Sequence, residues 1–139
     1  MNSLYIPLLG QVLLTLLVWF ALVLYRVYVL QVRKIAPQVV ADEAKNQEIY
    51  KSGRHLSDNF ENLFEVPVLF YVGILASIQL GVTDQTQVYL AWGFVGLRWA
   101  HSLVHLSINH ISTRFGCYAL STLFCLAIWV RIASHLGQS

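Results

Sequence analysis

The sequence predicts an all-α integral membrane protein in which four helices cross the bilayer and pack as a bundle. Two observations predict this class. Hydrophobic residues make up 57% of the 139-residue chain and charged residues only 12%, about half of the roughly 25% typical of soluble domains. The hydrophobic residues also gather in four long runs that are nearly free of charge. A water-soluble domain of this size needs far more polar surface than the chain can supply.

The composition also excludes two other classes of protein. A disordered chain requires low hydrophobicity and high net charge, and this chain has neither. Its net charge of +2 is too small for the basic patch that nucleic-acid binding requires. Membrane lipids are therefore the surroundings that the composition predicts, and no nucleic-acid partner is expected.

The four runs predict spans at about 4–30, 60–80, 86–108 and 114–134, within a single domain that covers residues 1–139. Each run is close to the ~20 residues that a spanning helix requires. Helices are expected because lipid cannot satisfy backbone hydrogen bonds, and the two-residue alternation of spanning strands is missing. The first run is too long for a cleaved signal peptide and lacks a basic segment before it, so we expect it to remain as a span.

The positions of the basic residues predict how the helices are oriented. Lysines and arginines, including Lys51 and Arg54, lie in the first connection, and Arg114 lies in the third, whereas residues 81–87 contain none. The positive-inside rule then puts the first and third connections in the cytoplasm and both termini on the non-cytoplasmic side. With no further targeting signal, this pattern favours a multi-pass protein of a bacterial inner membrane, with a eukaryotic internal membrane as the alternative.

The third span carries polar residues that a lipid-facing helix would exclude. Arg98 is followed by His101, Ser102, His105 and Asn109 at offsets of 3, 4, 7 and 11 residues, which is one helical face. An arginine in a bilayer costs about 2.5–3.5 kcal/mol even on lenient insertion scales. We therefore expect this face to contact protein or a water-filled cavity. The two histidines share a face on which a metal could bind, but the glutamate of an HExxH motif is absent and no metal site is expected.

The second span begins with a matching polar face. Asp58, Glu61, Asn62 and Glu65 lie at offsets of 0, 3, 4 and 7 residues, and Glu65 falls inside the apolar run, where a carboxylate needs a partner. Arg98 is the expected partner. One interpretation is a structural ion pair that sets the helix register. The other is a polar cavity near the cytoplasmic face for a ligand with carboxylates, which arginine binds in a bidentate manner. The residues predicted to line it are Asn62, Glu65, Arg98, His101, His105, Asn109 and Arg114.

These motifs resemble those of a known family. Residues 62–67 read Asn-Leu-Phe-Glu-Val-Pro and resemble the Asn-x-x-Glu…Pro motif of the MAPEG family, the membrane-associated proteins of eicosanoid and glutathione metabolism. Residues 98–102 read Arg-Trp-Ala-His-Ser and resemble that family's Arg-x-x-His-Thr/Ser motif on the third helix. Arg114 stands where the family has an arginine that opens the fourth helix. Residues 58–71 are similar to a run found in bacterial-type members.

The resemblance implies a fold, a co-substrate and roles for particular residues. Family members are homotrimers of four-helix subunits that bind glutathione between subunits near the cytoplasmic face, while a lipophilic substrate approaches from the bilayer. Carried over by position, the residues that would hold the tripeptide are Asn62, Glu65, Arg98 and His101. Arg114 would be the catalytic residue, because a cation near a thiol favours the thiolate. Tyr118, one turn later, would lie beside the site.

The chain departs from the family pattern at three positions. Asp58 stands where eicosanoid-type members have an arginine, so Arg54, one turn earlier, would have to substitute. His105 stands where members usually have a tyrosine, and Phe115 where one prostaglandin-forming member has a serine. An eicosanoid synthase is therefore disfavoured. A general glutathione transferase or peroxidase is the leading hypothesis, and a non-catalytic membrane accessory or scaffold protein of the same fold is the alternative. A transporter is not indicated, because no inverted repeat is present.

Overall fold

The computed structural model describes residues 3–35, 38–39, 42–107 and 110–138. Within these ranges the secondary structure is helical, with no strand, which confirms the all-α prediction. The helices are α1 (Tyr5–Arg33), α2 (Glu43–Ile49), α3 (Arg54–Asn62), α4 (Val66–Gln79), α5 (Gln85–Leu106) and α6 (Ile111–Leu136), and a 3₁₀ turn at Lys51–Gly53 precedes α3.

Three segments of the described chain are long and apolar enough to cross a membrane. They are Tyr5–Arg33, Lys51–Gln79 and Ile111–Leu136, which agrees with the membrane protein that the composition predicts. Helix α5 has 22 residues and is long enough to span a bilayer, but it is less apolar than the other three. It buries a row of polar side chains, namely Gln87, Arg98, His101, Ser102 and His105.

The structure interrupts the second predicted span. Helix α3 ends at Asn62, residues 63–65 form a turn, and α4 begins at Val66. Pro67 explains the break, because a proline lacks the N–H that would bond the carbonyl four residues earlier and its ring clashes with that carbonyl. In the first turn of α4 the same proline is well tolerated. The prediction that Glu65 continues the helical face of Asp58 and Asn62 is therefore wrong.

Aromatic and aliphatic side chains of α4, α5 and α6 form the main core. Phe70 of α4 and Phe94 of α5 are buried and their rings stack, with centroids 4.2 Å apart and planes 8° from parallel. Cys125 and Ile128 complete this core from α6. Gly93 allows a close approach here, because a Cβ on it would lie 2.3 Å from the ring of Phe124.

A polar network ties α4, α5 and α6 together at the end of the molecule remote from Arg114. Asp84 caps α5 by accepting from the backbone N–H groups of Thr86 and Gln87, at 2.8 and 3.2 Å. Arg131 forms an ion pair with Asp84 and donates through Nε to Gln87 Oε1 at 3.0 Å. Gln87 in turn donates to Ser77 Oγ of α4 at 2.8 Å. The network holds the α5–α6 pair so that the polar face of α5 meets the start of α6.

Candidate functional site

The polar face of α5 is buried inside the protein. Arg98 is 0% exposed, and His101, Ser102 and His105 are no more than 2% exposed. Helices α3 and α6 cover these side chains through the contacts given below. Asn109, the last residue of the predicted face, lies outside the described residues.

Arg98 of α5 contacts the end of α3, where the helix breaks before α4. Its Nη2 donates to the backbone carbonyl of Asn62, the last residue of α3. A carbonyl at a helix end has no donor from its own helix, so the break supplies the acceptor that the buried guanidinium needs. Its Nε and Nη1 have no hydrogen-bond partner among the described residues. Two such buried donors are costly to leave unsatisfied.

Tyr118 of α6 lies between Arg98 and Glu65. The Arg98 Cζ is 5.4 Å from the centroid of the Tyr118 ring, a cation–π distance. The Tyr118 hydroxyl donates to Glu65 Oε2 at 3.2 Å. Glu65 is exposed, and among the described residues no ion pair joins it to Arg98. The expected direct pair is thus replaced by a contact through a tyrosine, because the break turns Glu65 outward.

Two histidines of α5 hold Arg114 in the first turns of α6. His101 Nδ1–H donates to the backbone carbonyl of Arg114 at 2.9 Å. The Arg114 guanidinium donates through Nη1 to His105 Nε2 at 3.0 Å. Arg114 itself is half-buried, so its charge lies at the rim of the buried cluster rather than within it.

Asn62 and Arg54 lie on the α3 side of the site. Asn62 is half-buried and its side-chain amide donates to the backbone carbonyl of Asp58 at 2.8 Å. The Arg54 side chain is 80% exposed and its Nε lies 3.9 Å from the Asp58 carboxylate. Arg54 lines an open depression of ≈ 290 Å³ with Arg26, Tyr50 and Lys51.

Asn59 is a site residue that the sequence interpretation missed. It is 0% exposed, and its Oδ1 accepts from Ser102 Oγ at 3.1 Å, which joins α3 to the polar face of α5. Its Nδ2 has no partner among the described residues. The sequence does contain a pattern that predicts this position. Asn59 precedes Asn62 by three residues and therefore shares its helical face.

An apolar groove runs beside the site between α1 and α3. It has a volume of ≈ 320 Å³ and is lined by Thr15, Leu16, Trp19, Phe60 and Phe64. Phe64 directly precedes Glu65, so the chain leads straight from the lining of the groove to the polar site. Within the described residues no group of three His, Cys, Asp or Glu side chains is placed to hold a metal ion.

The comparisons with known proteins identify the family. No curated protein and no solved structure gave a significant match. A family model described as that of the MAPEG family matches residues 6–134 of the 139-residue chain, which confirms the resemblance seen in the motifs. This family includes glutathione-dependent transferases and peroxidases as well as non-catalytic members. The chain belongs to the MAPEG family.

Proposed function

We propose that the protein is a membrane-embedded glutathione transferase or peroxidase that acts on a lipophilic electrophile. The observation that carries the proposal is the setting of Arg114. Arg114 is half-buried at the rim of the site, and two buried histidines hold it. His101 donates to its backbone carbonyl, and His105 accepts from its Nη1. A cation fixed in this way suits the stabilisation of a thiolate.

The accessible and the buried residues take different parts in the proposal. Glu65, Asn62 and Tyr118 are exposed or half-buried and would contact glutathione, with the Glu65 carboxylate suited to the ammonium group of the tripeptide. Arg98, His101 and His105 are buried and would hold these groups in place from behind.

The proposed reaction uses Arg114 to favour the ionised thiol. Ionisation releases the thiol proton to solvent, and the Arg114 charge stabilises the sulfur anion that remains. The thiolate then attacks the electrophilic carbon and forms a carbon–sulfur bond, while the group displaced from that carbon departs with its bonding electron pair. With a hydroperoxide, the thiolate attacks the terminal oxygen, the O–O bond breaks and the alcohol leaves, and a second glutathione then gives the disulfide and water. The apolar groove beside Glu65 is suited to hold the lipophilic part of that substrate.

The surroundings of Glu65 support assembly into a homotrimer with the site between subunits. Glu65 is exposed although it lies within the membrane-capable segment Lys51–Gln79. A carboxylate facing lipid is costly, so a neighbouring subunit and its bound glutathione would relieve that cost. We further propose that α5 crosses the membrane as a fourth span. The basic first and third connections would lie in the cytoplasm and both termini on the opposite side of a bacterial inner membrane.

The proposal is tested by conjugation of glutathione to a lipophilic electrophile by the detergent-purified protein. We expect conjugation by the wild type and a loss of at least about tenfold in Arg114→Ala, since a hydrogen bond to a charged group contributes about 1.5–3 kcal/mol. Arg114→Lys keeps the charge and should retain part of the activity. Arg33→Ala removes an exposed arginine from the end of α1 and serves as the matched control. Equal rates for Arg114→Ala and Arg33→Ala would contradict the role of Arg114.

A non-catalytic accessory or scaffold protein is the second candidate function. The observation that favours it is the complete burial of Arg98, together with the Arg54–Asp58 pair at the position where eicosanoid-type members have an arginine for glutathione. A thermal-shift titration separates the two candidates. A ligand at 100 times its dissociation constant stabilises a protein by about 2.7 kcal/mol, so the absence of a shift with excess glutathione would favour the scaffold.

A further inference from the structure

We propose that His105 is a positioning residue that holds Arg114 where its charge can stabilise the thiolate of glutathione, and that it does so only while its imidazole is neutral. This inference rests on the proposed function, because that role of Arg114 is itself part of the proposed function. It also gives a role to the position at which this chain has a histidine instead of the usual tyrosine.

The contacts at the end of α5 support this role. His105 is 1% exposed, and its Nε2 accepts from Arg114 Nη1 at 3.0 Å. One turn earlier, His101 Nδ1–H donates to the backbone carbonyl of Arg114 at 2.9 Å. The first contact determines where the guanidinium lies, and the second determines where the backbone lies.

The chemistry of the two side chains requires a neutral His105. Arginine has donors and no acceptor, so the Nε2 atom that receives its N–H must carry a lone pair. The proton of the ring is then on Nδ1, which has no partner among the described residues. A second proton would remove the acceptor and place two cations about 3.0 Å apart. Arg114 would then leave His105, and the thiolate would lose its stabilising charge.

Charged and titratable groups face His105 from three helices. Arg114 approaches from α6, Asp58 and His55 act on it from α3, and His101 lies one turn away on α5, with ring centroids 5.7 Å apart. His55 is a second imidazole among these neighbours. The experiment therefore needs a variant that removes His55 as well as one that removes His105.

The test is a pH titration of the ultraviolet thiolate absorbance of glutathione bound to the purified protein. In the wild type, acidification protonates the thiolate and also releases Arg114, so we expect a curve steeper than that of a single proton. His105→Gln keeps an acceptor near the Nε2 position but takes up no proton. It should match the wild type at neutral pH and follow a one-proton curve with a lower midpoint.

Removing the acceptor at position 105 should lower the thiolate fraction even at neutral pH. His105→Phe should reduce the thiolate-to-thiol ratio about tenfold at neutral pH, because a hydrogen bond to the guanidinium is lost. His55→Gln and His135→Gln, the latter on the exposed far end of α6, should titrate like the wild type. Thermal melting of each variant verifies that it is folded.

Three results would overturn the inference. Superimposable curves for the wild type, His105→Gln and His105→Phe would contradict it and leave the proposed function standing. A one-proton curve for His55→Gln beside a wild-type curve for His105→Gln would assign the second proton to His55 instead. A wild type without any thiolate signal would contradict the proposed function, and this inference with it.

Discussion

At the scale of single residues, Tyr118 contacts both Glu65 and Arg98, the two charged residues that the sequence predicts as an ion pair. The cost of burying an arginine predicts from sequence that Arg98 faces protein, and the structure buries it completely. Its partner could not be predicted, because the periodicity of residues 58–65 indicates a shared face only if the helix is unbroken through Glu65. Once the break turns Glu65 outward, a side chain from α6 fills the gap, and no pattern within α3 or α5 indicates such a contact.

The dual contact of Tyr118 leads to a prediction for two variants. Tyr118→Phe keeps the ring over Arg98 and removes the hydroxyl that donates to Glu65, so we expect a small loss of stability of about 1 kcal/mol. Tyr118→Leu also removes the cation–π contact and should cost about 1–2 kcal/mol more. Thermal unfolding in detergent measures both effects.

The control for these variants is Tyr89→Phe, which alters an exposed tyrosine on α5 and should leave the melting temperature unchanged. Equal stability of Tyr118→Leu and Tyr118→Phe would contradict the contact between the ring and Arg98.

At the scale of the helices, the sequence predicts the membrane-capable runs well and their interruptions poorly. The apolar runs 4–30 and 114–134 correspond to α1 and α6, because composition alone decides whether a long helix suits lipid. The interruption at 63–65 depends on one residue, Pro67, whose effect on the preceding turn outweighs the apolar pattern. The contact of Gly93 with Phe124 depends on the crossing of two helices, which no pattern within one helix reveals.

The packing of α5 on α6 predicts opposite effects for two glycines of α5. A Cβ at Gly93 would lie 2.3 Å from the Phe124 ring, whereas a Cβ at Gly96 would meet nothing within 4 Å. Gly93→Ala should therefore destabilise the protein by about 1–3 kcal/mol through overpacking. Gly96→Ala should be neutral or stabilise it by up to about 1 kcal/mol, since alanine favours a helix more than glycine does.

The two glycine variants are matched in helix and in chemistry, so each is the control for the other in thermal unfolding. A melting temperature for Gly93→Ala equal to or above that of Gly96→Ala would contradict the close approach of α5 and α6.

At the scale of the whole molecule, the charged residues on and beside α5 and α6 are divided between structure and proposed function. Asp84 and Arg131 join the helix ends at one extremity, and Arg98 and Arg114 lie in the site near the other. About 17 residues of α6 separate Arg114 from Arg131, which is roughly 25 Å of helix. The family, the helical class and the membrane setting could all be predicted from sequence. The separation of the site into a buried and an accessible layer could not, because it depends on how three helices meet.

The central claim is that Arg114 stabilises the thiolate of glutathione bound to this protein. The measurement that tests it most directly is the ultraviolet difference spectrum of glutathione with the purified protein at neutral pH, compared with the same spectrum for Arg114→Ala. Our account predicts a thiolate band with the wild type that is lost, or reduced at least about tenfold, in Arg114→Ala. A band of equal size in both proteins, or no band in the wild type at saturating glutathione, would contradict it.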